Sequence, residues 1–197
     1  MRVLAIDTTL NACSVALIDN DAVLAMRSEP MQRGHAERIA PMAQDVMAQT
    51  EFSTIDRIVV TTGPGSFTGV RVGLAFARAM ALALEIPCVG VSTLEALALE
   101  SGKGGWRGAR IPAPRGAYVA LFSEGDAIIA PSLMDETQLA ADLTVYPPAL
   151  WAAPNAAPDI VELARRGAIL DPARYPPKPL YLRAPDAKPA MARAAPV

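Results

Sequence analysis

Apolar residues recur along the first half of the chain in two rhythms, one close to period two and one close to 3.6. Apolar, strand-like runs at residues 2–7, 13–18 and 22–28 are separated by turns at 8–12 and 19–21, which predicts three antiparallel strands in a meander. Residues 35–50 then carry apolar side chains at helical spacing, 56–61 are β-branched and strand-like, and 70–85 are strongly helical. Residues 87–91 read as a short buried strand, and Ser92 opens a helix through Glu100, with Glu95 placed to complete a capping box. The order βββαβαβα predicts an α/β lobe.

After residue 100 the punctuation changes. Only Pro30, Pro41, Pro64 and Pro87 precede it, so 14 of the 18 prolines follow (18 − 4). The glycine-rich residues 101–109 predict a connector between a lobe at 1–100 and a second, smaller unit at 101–197. In that unit 110–114 and 116–122 pair as a hairpin, 126–130 add a strand, and 135–141 and 158–166 form short helices. Pro112 and Pro114 restrict the first of these strands to an edge. From Asp171 onward an extended, proline-rich and basic tail is expected, tied down near Pro179.

A chain of 197 residues, 52% hydrophobic, is long enough to bury a substantial core. Its net charge of −2 and pI near 5.4 give no global attraction to nucleic acid or anionic lipid. Cys13 and Cys88 have no Cys or His at metal-ligand spacing, so they read as small buried hydrophobes. The N-terminus turns acidic after a few apolar residues, and no apolar run approaches the ~20 residues that cross a bilayer, so a cytoplasmic protein without membrane contact is expected.

The segment from Thr61 to Gly73, Thr-Thr-Gly-Pro-Gly-Ser-Phe-Thr-Gly-Val-Arg-Val-Gly, joins a strand to a helix. Gly69 is followed by valine with no lysine near, which excludes a Walker A loop. Ser66 is flanked at two residues by Pro64 and Thr68 rather than glycines, so it is no nucleophile elbow. Thr68 stands where a dinucleotide fingerprint needs its third glycine. Two readings remain: a plain connection with Thr68 as N-cap, or an anion-binding helix start using Gly63, Gly65, Ser66, Thr68 and Gly69. Asp7-Thr8-Thr9, between the first two strands, resembles the first phosphate-facing hairpin of the actin, hexokinase and Hsp70 ATPase superfamily, although Thr8 and Leu10 stand where glycine would help.

Ile6-Asp-Thr-Thr9, Arg33-Gly-His-Ala-Glu-Arg-Ile-Ala-Pro41, the glycine-rich loop and Pro179-Leu-Tyr-Leu-Arg183 together resemble the TsaB (YeaZ) family, closely over the first hundred residues and loosely beyond. The resemblance implies the α/β, two-lobed fold of that ATPase superfamily with a reduced second lobe. It further implies a non-catalytic role in making N6-threonylcarbamoyladenosine on tRNAs that read codons beginning with A. The partner implied is TsaD, with the ATPase TsaE docking on the pair and a homodimer open to the free chain. No cofactor of its own is expected, and a site for ATP or ADP with Mg at the complex interface stays open.

The residues agree with an absence of catalysis. TsaD-type subunits hold a metal with His-x-x-x-His, but this chain has one histidine, His35, and Ile39 follows four residues on. Peptidase chemistry would need a nucleophile with a base or a metal, and His35 is the only histidine base in the sequence. In the second lobe Ala113-Pro114-Arg115 stands where the family often has Asp-Ala-Arg.

Apolar residues surround nearly the whole helix at 70–85, which predicts burial on two sides. The interface expected for a partner therefore joins His35, Ile39, Met42, Ala43, Val46 and Met47 of one helix to Arg71, Leu74 and Arg78 of the other. Two basic stretches, Lys103, Arg107, Arg110 and Arg115, and Arg174, Lys178, Arg183, Lys188 and Arg193, read either as solvated loops or as contacts to tRNA phosphates.

Overall fold

The structure is a computed structural model and describes residues 1–48, 55–99, 106–123, 126–145, 150–152 and 156–182. Strands β1 (Arg2–Asp7), β2 (Ala12–Asp19) and β3 (Ala22–Pro30) form the expected meander, with Ile6 opposite Val15 and Asp7 opposite Ser14. On the other side of β1 lie β4 (Arg57–Thr61) and β5 (Cys88–Val91), both parallel to it, giving the order β3-β2-β1-β4-β5.

Alternation along a strand sends successive side chains to opposite faces. Leu4, Ile6, Val15, Ile58 and Val60 meet helices α1 (His35–Ala48) and α2 (Phe67–Leu84) on one face. Val3, Ala5, Ala16, Ile18 and Val59 meet α5 (Ile160–Ile169) on the other. The split at residue 100 thus describes chain order, whereas in space α5 returns from the second half to cover the first sheet. Gly167 makes this possible, because a Cβ there would stand 2.2 Å from Val59 Cγ2.

Arg57 fastens the same junction. Its Nη1 donates to the carbonyls of Gly167, Ala168 and Leu170 at 2.8, 2.9 and 2.8 Å, satisfying acceptors that the end of α5 leaves open. Arg57→Met is expected to lower the urea-derived unfolding free energy by about 2 kcal/mol, the scale of a lost charge-assisted bond. An unchanged midpoint would show that water replaces the guanidinium there.

Helix α3 (Thr93–Leu99) leads into a second sheet of β6 (Trp106–Ala113), β7 (Gly116–Ser123), β8 (Asp126–Met134) and β9 (Leu150–Trp151), ordered β8-β7-β6-β9. Leu94 and Leu97 of α3 pack against Ala109, Ile111 and Phe122, and Leu139 of α4 (Glu136–Val145) packs on Ala117 and Val119.

Several expectations shift. The last residues of the expected connector, from Trp106, already belong to β6, where the Trp151 ring lies over Gly108 in the space a Cβ would fill. Strand β6 is flanked on both sides rather than being an edge, but β9 pairs only with Arg107 and Gly108, so Pro112 falls beyond it. The capping box is half made: Ser92 Oγ accepts from Glu95 N at 3.0 Å, while the Glu95 carboxylate is engaged by Arg166 at 2.8 Å. Residues 49 and 50 of the first expected helix, Glu100, most of the 101–109 connector and the tail from Arg183 lie outside the described residues. The tail before them is extended and pinned, since Gly90 N donates to Tyr175 O at 2.9 Å and Leu180 N to Thr62 O at 2.8 Å.

Helix α2 has 18 residues and a mean hydropathy of 1.4, so by length and composition it is closer to a membrane-spanning segment than the sequence reading allows. Here it lies along the sheet, burying Val70, Leu74, Ala77 and Ala81.

Candidate functional site

Asp7 ends β1 at the point where the parallel register brings β4 alongside, Ile6 facing Val60, so that Thr61 comes next to it. Its Oδ1 accepts from Thr61 Oγ1 at 2.5 Å, Thr9 Oγ1 at 2.7 Å and Thr9 N at 3.2 Å. Thr93 adds a hydroxyl to this knot, donating to Thr9 Oγ1 at 3.2 Å. Thr61 and Thr93 were not singled out from the sequence, and the signal that could have found Thr61 is its place at the end of the strand beside β1. Asp7 is wholly buried and its Oδ2 has no partner among the described residues. Burial pushes the Asp7 carboxyl above its ordinary value, against the opposing pull of the Thr61 and Thr9 hydrogen bonds.

That direction fixes a pH dependence. A carboxyl whose folded pKa is raised gives its full stability below the unfolded value, 3.8, and loses it as pH rises through the folded value. Asp7→Asn keeps an acceptor for the threonines and cannot ionise. Its melting temperature is expected to exceed wild type at neutral pH and to converge with it in acid; a lower melting temperature at neutral pH contradicts the assignment.

The glycine-rich loop closes onto this hairpin. Ser66 N donates to Thr9 O at 2.8 Å and Thr8 Oγ1 to Gly69 O at 2.7 Å. A Cβ would stand 2.3 Å from Thr9 O at Gly65, 2.0 Å from Thr8 O at Gly69 and 2.4 Å from Thr8 Oγ1 at Gly73. Gly63 has φ +97°, the left-handed region glycine favours, and its carbonyl accepts from Thr93 N at 2.9 Å. The N-cap is Ser66, whose side chain accepts from Gly69 N at 3.3 Å, so α2 starts three residues before the expected Val70 and Thr68 sits exposed in its first turn.

A nucleotide with its metal needs room between hairpin and loop, cationic or N–H partners for phosphate, and an open carboxylate. The first is filled by the chain's own backbone and the last is sealed. A cleft of about 210 Å³ remains beside the seal, lined by Thr9, Asn11, Gln32, Ser66 and Tyr118 among others, none charged. The residues do not fit Mg-ATP held by this chain alone.

Neither cysteine is a ready nucleophile. Burial pushes the thiols of Cys13 and Cys88 up to about 11, leaving them protonated at neutral pH. His35 is 5% exposed, and among the described residues no group of three His, Cys, Asp or Glu could hold a metal.

The two helices expected to meet a partner do pack together, but the residues named for the interface divide. Ile39, Met42, Ala43, Val46, Leu74 and His35 are buried in this chain, because the most apolar side of α1 turns to the sheet. Met47 is half-buried, and Arg71 and Arg78 are exposed. The surface of α2 that faces solvent carries Ala75, Ala79, Ala83, Leu82 and Leu84, with Leu82 81% exposed. A groove of about 730 Å³ runs along it, lined by Ala75, Ala79, Leu82 and Ile86 between Arg78 and Glu85.

A family model for TsaD, tRNA N6-adenosine threonylcarbamoyltransferase, matches residues 27–111. The tRNA threonylcarbamoyladenosine biosynthesis protein TsaB of Escherichia coli is 46% identical over 109 residues, 54% of this chain and 45% of that protein. TsaB of Bacillus subtilis is 38% identical over 100 residues, 50% of this chain and 44% of that one. The matches therefore span less than half the length of these curated relatives. An uncharacterized protein of Mycobacterium tuberculosis is 34% identical over 203 residues, 95% of this chain and 94% of its own. Among solved structures, an uncharacterized Pseudomonas aeruginosa protein with similarity to peptidase YeaZ superposes with a TM-score of 0.75 at 23% identity, over 92% of this chain and 99% of that one. YeaZ from Pseudomonas aeruginosa gives 0.69 at 24% identity over the same shares. These two show the fold, an α/β architecture of two sheets with helices packed on them. With the matched sequence running through the 62–73 loop, the chain belongs to the TsaB (YeaZ) family.

Proposed function

We propose that this chain is a non-catalytic, cytoplasmic subunit in tRNA N6-threonylcarbamoyladenosine biosynthesis, acting on tRNAs that read codons beginning with A by pairing with a TsaD-type catalytic subunit. The observation that carries the reading is the outward face of α2, where an 18-residue helix of mean hydropathy 1.4 has only a third of its length buried. A monomer has no use for so much exposed aliphatic surface, and a facing helix would bury it. The self-filled hairpin and the absence of a histidine pair support assigning chemistry to the partner.

In this reading TsaE and tRNA reach the chain through the pair, any ATP or ADP with Mg sits at the seam, and the free chain uses the same face to form a homodimer. Co-expression with a TsaD-type subunit followed by size-exclusion chromatography tests the pairing, and modification of tRNA with and without this chain tests the role. Titration calorimetry separates the rival, a self-sufficient ATP-binding enzyme: submillimolar Mg-ATP binding with turnover by the isolated chain would favour it.

A further inference from the structure

Phe67 and Tyr181 are 60% and 53% exposed, although each is a large ring that a monomer ordinarily covers. Their centroids lie 6.3 Å apart with planes tilted by 34°. The Arg71 guanidinium carbon sits 3.6 Å from the Phe67 centroid, and Arg71 Nε donates to Tyr181 Oη at 3.3 Å. Both rings are carried by fixed backbone: Phe67 and Arg71 lie one turn apart on α2, and Tyr181 follows Leu180, whose N–H is bonded to Thr62 O. The cluster is therefore held in place at the surface by the chain itself.

We propose that Phe67, Arg71 and Tyr181 form a stacking platform for an unpaired base of a single-stranded nucleic acid. Aromatic rings beside a guanidinium stack bases irrespective of sequence, and cations alongside neutralise the phosphates. The first turn of α2 has no acidic residue, and exposed Lys178 lies three residues before Tyr181. This charge favours a polyanion over an acidic protein surface. The platform adjoins the proposed seam, since Arg71 lies one turn before Ala75 on the same helix, so the test reads the two contacts separately. That the nucleic acid is RNA rests on the function proposed above; the stacking itself does not.

The test uses the full chain with a fluorescein-labelled RNA stem–loop and, in parallel, the same RNA closed as a perfect duplex, both read by fluorescence anisotropy. Wild type should prefer the stem–loop. Phe67→Ala should weaken the stem–loop about tenfold or more and leave the duplex unchanged, whereas Phe67→Trp should retain binding and lose emission on contact with the loop. Because Phe67 is exposed, an unaltered melting temperature confirms that the variants fold. Equal affinity of Phe67→Ala and wild type for the stem–loop overturns the proposal. So does a Phe67→Ala that loses a co-expressed TsaD-type subunit while keeping RNA, which makes the cluster a protein contact. If wild type fails to pair with that subunit yet binds the stem–loop through Phe67, the proposed function fails and the platform stands.

Discussion

Leu82→Glu is expected to abolish pairing with a TsaD-type subunit while leaving the isolated chain folded. Leu82 is 81% exposed on the aliphatic face of α2 near its C-terminal end, so a carboxylate there meets water in the free protein and costs little. Under a facing helix the same carboxylate would be buried without a partner, a penalty of about 3–5 kcal/mol and hence a loss of more than about a hundredfold in affinity. Leu74→Glu supplies the contrast. Leu74 is 4% exposed and packs in the core with Ile39, Val46 and Val60, so its carboxylate should prevent folding before any partner is met. Binding of Leu82→Glu at wild-type affinity in a co-purification titration would remove the outer face of α2 from the interface.

The second large effect belongs to Gly69→Ala. A methyl group would stand 2.0 Å from the Thr8 carbonyl oxygen and 3.2 Å from its carbon, backbone that no side-chain rotation can clear. To admit it, the start of α2 must lift from the hairpin, breaking Thr8 Oγ1 to Gly69 O and Ser66 N to Thr9 O. Overpacking and two lost bonds together cost about 3 kcal/mol or more, which for a chain of this size lowers the melting temperature by roughly 10 °C. Gly34→Ala calibrates the result: with φ +92° but nothing nearer than 4.0 Å, it meets strain without collision and should cost about 1 kcal/mol. Equal melting temperatures for the two variants would mean that the hairpin and loop are not in contact in solution.

The first lobe was legible because its elements are long relative to their period. Five runs of β-branched and aliphatic residues between turns could hardly be anything but strands. The start of α2 was misplaced because Ser66 and Thr68 are both competent caps, and only the geometry of Gly69 N selects Ser66. Asp7 and the glycines were recognisable as candidates from their types and spacing. Their mutual contact was not, since it depends on a register that brings Thr8 against Gly69 from sixty-one positions away. Six of the nine residues expected at a partner are buried within the chain, five of them on α1, where periodicity finds the most apolar side and that side packs on the sheet. What α2 leaves outside mixes Ala75, Ala79, Ala83, Leu82 and Leu84 with Phe67, Thr68, Arg71 and Arg78, so no single apolar stripe marks it.

The return of α5 sets an order of events during synthesis. Val3, Ala5, Ala16, Ile18 and Val59 are all in the chain before residue 60, yet the helix that covers them ends at Ile169. A nascent chain a hundred residues long therefore has a complete sheet sequence with one bare hydrophobic face, and no stretch of it can close that face in the native way. The two halves mature together. The strap of residues 175–182, bonded to Gly90 and Thr62, is the last described piece to arrive, so the end that leaves the ribosome late also locks the edge made early.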